Sequence, residues 1–176
     1  DGPKRFDEEK MRSLRPAFGK EGSITAGNAS SVNDGAAAVI VLGEETREEL
    51  GVKADARILG HATSSKEPEL FTTAPVDAIA RLLERIGAAA NDIDLYEINE
   101  AFAVVPMAAM KDLGIPEDKL NVHGGAVAIG HPIGASGART LVTLLNAMKI
   151  HDAKTGVVSL CIGGGEAVAM AVERVE

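Results

Sequence analysis

Tryptophan is absent from the 176-residue chain, tyrosine occurs once and phenylalanine four times. Large aromatic anchors therefore cannot dominate a core, and the 19 glycines and many alanines point instead to close backbone approaches and tightly packed helices. Cysteine also occurs once, at Cys161, which excludes an intrachain disulfide and any Cys–Cys metal pair. A lone thiol fits a reducing compartment, and a cytoplasmic location is expected. The histidines are His61, His123, His131 and His151, and none lies four residues from another on a helix, so no zinc site is expected. Positive charge is scarce too: 18 Lys and Arg stand against 26 Asp and Glu, for a formal charge of −8. Nucleic acid is therefore not an expected partner. The longest apolar run, Ala36–Leu42, falls far short of the ~20 residues that span a bilayer, so no membrane partner is expected either.

What is present is ordinary globular material, 45% apolar and 25% charged, enough for one domain with a real core or two small ones. The first residues, Asp1 to Phe6, offer neither a Met start nor the apolar stretch of a signal peptide, and read as the middle of a longer chain. Residues 1–31 are polar and turn-rich. The run Ala36–Leu42 reads as a buried strand, and Glu44–Leu50 as a short charged helix closed by Gly51. Arg57–Ala62 reads as the next strand. A one-faced helix is predicted over 74–86, with Thr73 as cap, Pro75 in the first turn and Gly87 at its end. Val104–Leu113 and Ser136–Ile150 are helices with apolar surface so wide that both belong in a central layer. Thr155–Cys161 and Ala167–Val175 read as strands joined through Gly163-Gly164-Gly165. Strands alternating with helices and ending in a hairpin define an α/β class with an antiparallel finish.

Three segments carry residues capable of chemistry. Asn99-Glu100-Ala101-Phe102-Ala103 follows the strand Leu95–Ile98, where α/β proteins place their sites; Asn99 could equally cap the next helix. His131 stands in a glycine-dense loop, Gly124 to Gly137, that leads into the Ser136–Ile150 helix with Ser136 as its cap; the alternative is a solvated histidine in a glycine-rich turn. Cys161 ends a strand at a glycine turn, either as a small buried apolar residue or as an acid–base thiol beside amides able to form an oxyanion hole.

Taken together these segments resemble the three C-terminal signatures of the thiolase family, in the family's order. Leu14–Phe18 and the run from Thr25 to Ala38 resemble its coenzyme A loop and the helix after it. The resemblance covers the whole chain and implies a thiolase-like α/β fold: a βαβαβαββ C-terminal domain over 56–176 with a mixed sheet and layered helices. It also implies the last helix and strand of the N-terminal domain over 32–55 and the tail of a CoA-binding loop domain over 1–31. It implies Claisen condensation of acyl-CoA molecules, or thiolysis of a 3-ketoacyl-CoA, through an acyl-cysteine. His131 matches the histidine that activates the nucleophile and helps hold the substrate thioester oxygen, Asn99 the residue that positions a water in that same oxyanion hole, and Cys161 the cysteine that exchanges a proton with the substrate α-carbon. The N–H of Gly163 matches a donor of the second hole. Phe18, Ala26, Ser30, Ala101 and Phe102 match positions along the pantetheine tunnel, with CoA as substrate and no prosthetic group. His123 stands where the family often has Asn. The nucleophilic cysteine belongs to the family's N-terminal half, which a partner portion would have to supply, and a homo-oligomer is implied. A subunit of a split thiolase and a non-catalytic CoA- or lipid-binding module are the alternatives.

Overall fold

A computed structural model describes residues 6–175, so the reading of Asp1–Arg5 lies outside the described residues. The chain opens with a short helix, α1 (Glu8–Arg12), whose cap Asp7 accepts the Lys10 N–H at 3.0 Å. After an irregular stretch, α2 (Glu44–Leu50) is closed by Gly51 at φ 63°. The apolar run Ala36–Leu42 forms neither strand nor helix, and all of it but Ala37 is exposed. The expected strand is thus absent. A buried strand needs neighbouring strands for its N–H and C=O groups, and no described strand pairs with this run.

From residue 56 the chain builds β1 (Ala56–Ser65), α3 (Ala74–Ile86), β2 (Leu95–Ile98), α4 (Val104–Leu113), the single turn α5 (Ala126–Ile129), α6 (Ser136–Ile150), β3 (Thr155–Cys161) and β4 (Glu166–Arg174). The four strands form one sheet in the order β1-β4-β3-β2. β1 and β3 flank β4 antiparallel, and β2 runs parallel to β3. This is the expected α/β class with a mixed sheet. The fifth strand implied by the resemblance survives only as a single bridge, Leu120 beside Tyr96. There the Asn121 side chain takes over the pairing: its Oδ1 accepts the Ile98 N–H at 2.8 Å and its Nδ2 donates to the Ile98 carbonyl at 2.9 Å.

The pleat sorts the core into two layers, because successive side chains point to opposite faces. Tyr96, Ile98 and Val157 join Ile79 and Leu82 of α3 and Val105 of α4 on one face. Leu95 and Val158 join Leu144, Ala147 and Met148 of α6 on the other. Gly156 of β3 permits the close approach of α6: a Cβ there would sit 2.7 Å from Met148 Sδ. The sheet is therefore the central layer, and the helices expected to be central lie outside it. α4 buries Val105, Pro106 and Ala109 while Met107 is exposed, and α6 leaves Val142 and Ile150 exposed.

Helix ends follow backbone chemistry more than side-chain caps. α3 begins with Pro75 in its first turn and ends at Gly87, φ 68°, as the sequence predicts. Thr73 does not cap it: its Oγ1 donates to the Leu70 carbonyl and accepts from Lys66 Nζ. Among the described residues no helix is long and apolar enough to cross a membrane.

Candidate active site at the carboxyl ends of β2 and β3

Asn99 continues directly from β2, its N–H donating to the Ser159 carbonyl of β3 at 2.9 Å. It lies at the carboxyl end of two adjacent parallel strands, the same end at which β3 delivers Cys161. Asn99 is buried and does not cap α4, which begins five residues later at Val104 behind Ala103. Its carboxamide is committed to the tertiary structure instead. The Oδ1 accepts from Arg139 Nη2 at 2.8 Å, and the Nδ2 stands 3.3 Å from His131 Nε2.

Glu100, the next residue, does a different job. Its carboxylate accepts the Val127 N–H at 3.0 Å and the Asn121 Nδ2 at 2.9 Å, which pins the glycine loop against the end of β2. Gly125 lies so close to that carboxylate that any Cβ would overlap it. The loop then rises through α5 to His131. The His131 backbone N–H donates to the Ser31 carbonyl at 2.9 Å, and its ring Nδ1 lies 2.6 Å from Ser136 Oγ. Ser136, expected as a helix cap, is the ring's partner instead and donates to the Pro132 carbonyl at 3.0 Å. Burial, with the nearby Arg139 charge, holds the His131 imidazole below its ordinary pKa. These contacts, with the one to Asn99, engage both ring nitrogens and the backbone N–H, so this histidine is not merely solvated in a glycine-rich turn.

Cys161 is buried at 8% exposure, and burial pushes its thiol above the ordinary value. Such a group rests as a thiol, a proton donor more readily than a nucleophile. Beyond it the turn is closed by Ile162 N–H to the Glu166 carbonyl at 2.7 Å and Gly165 N–H to the Ile162 carbonyl at 3.2 Å. The amide of Gly163, in the exposed part of this turn, has no hydrogen-bond partner among the described residues.

The residues matched to the pantetheine tunnel come together in part. Ser30 donates twice to the Ala101 carbonyl, from N at 3.1 Å and from Oγ at 2.9 Å, and Ala29 bridges Phe102. Phe18 meets Phe102 edge-on, ring centroids 6.0 Å apart. Ala26 sits exposed in the Thr25–Asn28 turn. Residues 29–32 thus form a strap from the Ala101-Phe102 loop to His131, which Val32 bridges. Beside Phe18 a cleft is lined by Arg15, Pro16, Gly19 and Lys20, two of them cations. His123 takes no part in the site: its Nε2 lies 3.2 Å from that of His151 at the end of α6.

Two residues at the site were not singled out from the sequence. Glu97, a carboxylate inside an otherwise apolar strand, points to the α6 face, where Arg139 Nη1 donates to it at 3.1 Å. Both side chains are withdrawn from solvent, at 3% and 16% exposure. Burial pushes the Glu97 carboxyl up to about 7 against the opposing pull of Arg139. A charge within a fully buried strand was the available signal, since such a group demands a partner.

The family model described as Thiolase, C-terminal domain matches residues 52–174, and that described as Thiolase, N-terminal domain matches residues 2–45. The chain belongs to the thiolase family. It is similar to the acetyl-CoA acetyltransferase of Allochromatium vinosum, 53% identical over 94% of this chain and 42% of that protein. It superposes on the crystal structure of the Bacillus anthracis acetyl-CoA acetyltransferase with a TM-score of 0.91 at 43% identity, over 95% of this chain and 42% of that one. A thiolase from Ascaris suum, solved in complex with coenzyme A, gives a TM-score of 0.89 at 43% identity, over 99% and 46% of the two chains. The chain therefore spans less than half the length of these relatives and corresponds to their C-terminal part.

Proposed function

We propose that this chain is the C-terminal part of an acetyl-CoA C-acetyltransferase, which joins two acetyl-CoA molecules or cleaves a 3-ketoacyl-CoA with free CoA. The observation that carries the reading is the Asn99–His131 pair, 3.3 Å apart where β2 ends beside the Cys161 end of β3. In this reading His131 takes the proton of a nucleophilic cysteine supplied by an N-terminal portion, and afterwards binds the substrate thioester oxygen together with a water that Asn99 positions. Negative charge developing on that oxygen is stabilised most by donors already fixed in place.

In the cleavage direction the nucleophilic cysteine first displaces the α-carbon of the 3-ketoacyl-CoA; free CoA then gives its thiol proton to the thiolate left on Cys161, its sulfur attacks the acyl group, and the cysteine thiolate set free takes its proton back from His131. The Cys161 thiol donates its proton to that departing carbon, releasing acetyl-CoA and leaving a thiolate. In synthesis the same thiolate removes the α-proton, the carbon–carbon bond forms, and the carbon–sulfur bond to the acylated cysteine breaks. The Gly163 N–H serves the acyl-enzyme carbonyl. Phe18, Ala26, Ser30, Ala101 and Phe102 line the pantetheine arm, and Arg15 and Lys20 suit the phosphates beyond it. A homo-oligomer and a cytoplasmic location belong to the same reading, and CoA is a substrate rather than a resident group.

The test joins this chain to the N-terminal three fifths of the Allochromatium vinosum enzyme and follows acetoacetyl-CoA thiolysis. Turnover is expected from the hybrid and not from this chain alone, whose one cysteine is Cys161. Undiminished turnover by a His131→Ala hybrid, or turnover by the chain alone above a heat-killed control, would overturn the reading.

A further inference from the structure

We infer that Arg139, clamped by Glu97, is a positioning residue that fixes the proton of His131 on Nδ1 and leaves Nε2 unprotonated, its lone pair turned towards the Asn99 amide at the site. The inference deepens the proposed role of His131 as a base and rests on that reading for its purpose, though not for its test.

The hydrogen-bond chain leaves no freedom in where the protons go. A guanidinium has donors and no acceptor, so the Asn99 atom 2.8 Å from Arg139 Nη2 is the carboxamide oxygen. The amide nitrogen is thereby turned the other way, 3.3 Å from His131 Nε2. An amide NH2 cannot accept a hydrogen bond, so Nε2 must, and carries no proton. The one proton of the neutral ring is then on Nδ1 and is donated to Ser136 Oγ at 2.6 Å. Ser136 can receive it because its own hydrogen goes to the Pro132 carbonyl at 3.0 Å. Remove the guanidinium and the first link fails: the Asn99 carboxamide can rotate, present its oxygen, and accept from a protonated Nε2.

Glu97 explains why the guanidinium stays in place. It holds Nη1 at 3.1 Å from beneath, on the β2 face that α6 covers. Among the described residues Arg139 has no other carboxylate partner, and its buried Nε has no hydrogen-bond partner. Without Glu97 it would be an unpaired charge in a dry layer, and such a charge leaves for water or loses its geometry. The arrangement also opposes the imidazolium. A proton arriving on Nε2 meets an amide NH2 and, behind it, a guanidinium, so a proton taken from the nucleophilic cysteine is readily handed on. The groups facing the ring are Asn99, Ser136 and Arg139, and Arg139 is the charged one among them.

The test needs no turnover, so its failure is separable from failure of the thiolase reading. The whole chain, labelled with 15N-histidine, is examined at pH 8 by long-range 1H–15N correlation, which distinguishes the two neutral tautomers. His131 is expected as the Nδ1–H form, with a titration midpoint below that of free imidazole. Arg139→Met should convert it to the Nε2–H form or a mixture and raise the midpoint. Asn99→Ala keeps the buried Glu97–Arg139 pair intact and should likewise release the tautomer, which guards against an Arg139 variant that fails to fold. Glu97→Gln should give a mixture. An Nε2–H ring in the unaltered chain, or an Nδ1–H ring that persists in both Arg139→Met and Asn99→Ala, would overturn the inference. The rest of the amide spectrum separates this result from a loss of packing: it stays dispersed when only the tautomer changes and collapses when the ring is released to water by unfolding.

Discussion

At the scale of single residues the site separates two jobs between two buried or half-buried groups. His131 faces Asn99, and Cys161 closes the neighbouring strand. In the hybrid enzyme, Cys161→Ala should suppress condensation by about 10²–10⁴, the usual worth of a positioned acid or base, while acylation by acetyl-CoA is largely spared. His131→Ala should damage both steps. Incorporation of radiolabelled acetyl groups checks the division: equal loss of label in the two variants would refute it. Glu97 gives a prediction of opposite character. Its folded-state carboxyl lies near 7, above the ordinary 4.5, so the folded chain binds that proton more tightly than the unfolded one. Stability from this group is therefore full below about 4.5 and lost as pH rises through about 7. The urea midpoint of the chain should fall between pH 5 and pH 8 by more than that of Glu97→Gln. Equal slopes would show that the carboxyl titrates at its ordinary value.

At the scale of elements, the layer between β3 and α6 is closed so tightly that it depends on a missing methyl group. Gly156→Ala would drive a Cβ to 2.7 Å from Met148 Sδ and 3.0 Å from Leu144 Cδ1. Overpacking of this kind typically costs about 1–3 kcal/mol, so the variant should unfold at lower urea with an unchanged slope. An unchanged midpoint would mean that α6 can shift freely. The same tightness shows which elements could be read from sequence. The bounds of α3, α4 and α6 were legible because Gly87 and Gly114 terminate helices through their own backbone, and the apolar spacing needed no partner. Thr73 and Ser136 have the residue type of caps but do not act as caps, because their hydroxyls are claimed elsewhere, Ser136 by His131. Asn99, His131 and Cys161 stood out by residue type beside glycines. Arg139 did not, since its meaning depends on Glu97 lying under α6, a fact of sheet face and register.

At the scale of the molecule, the run Ala36–Leu42 shows the limit of an apolar pattern: it describes what a segment needs, not whether the chain supplies it. Val39, Ile40, Val41 and Leu42 stand exposed, as do Met107 of α4 and Ile150 of α6. Apolar area of this kind, when contiguous beyond a few hundred Å², is rare on soluble monomers. The purified chain should therefore self-associate, or hold on to a covering portion if one is present. Light scattering at micromolar concentration decides it, and a monodisperse particle of 18.2 kDa would show that the surface needs no cover.

The position of β4 in the sheet bears on how the chain comes off the ribosome. β4 lies between β1 and β3, so Ala56 faces Arg174, and among the described residues β1 has no other strand beside it. During translation β1 emerges first of the four strands of the sheet, yet its hydrogen-bond partner is the last of the four to be made. Until residues 166–174 leave the exit tunnel, β1 is an unpaired edge, a template for wrong partners, and only the parallel β2–β3 pair is available. Pairings this distant in sequence are slow to close even in the finished chain. A nascent chain arrested before Glu166 should bind holdase chaperones and lose that affinity abruptly once the last strand is out.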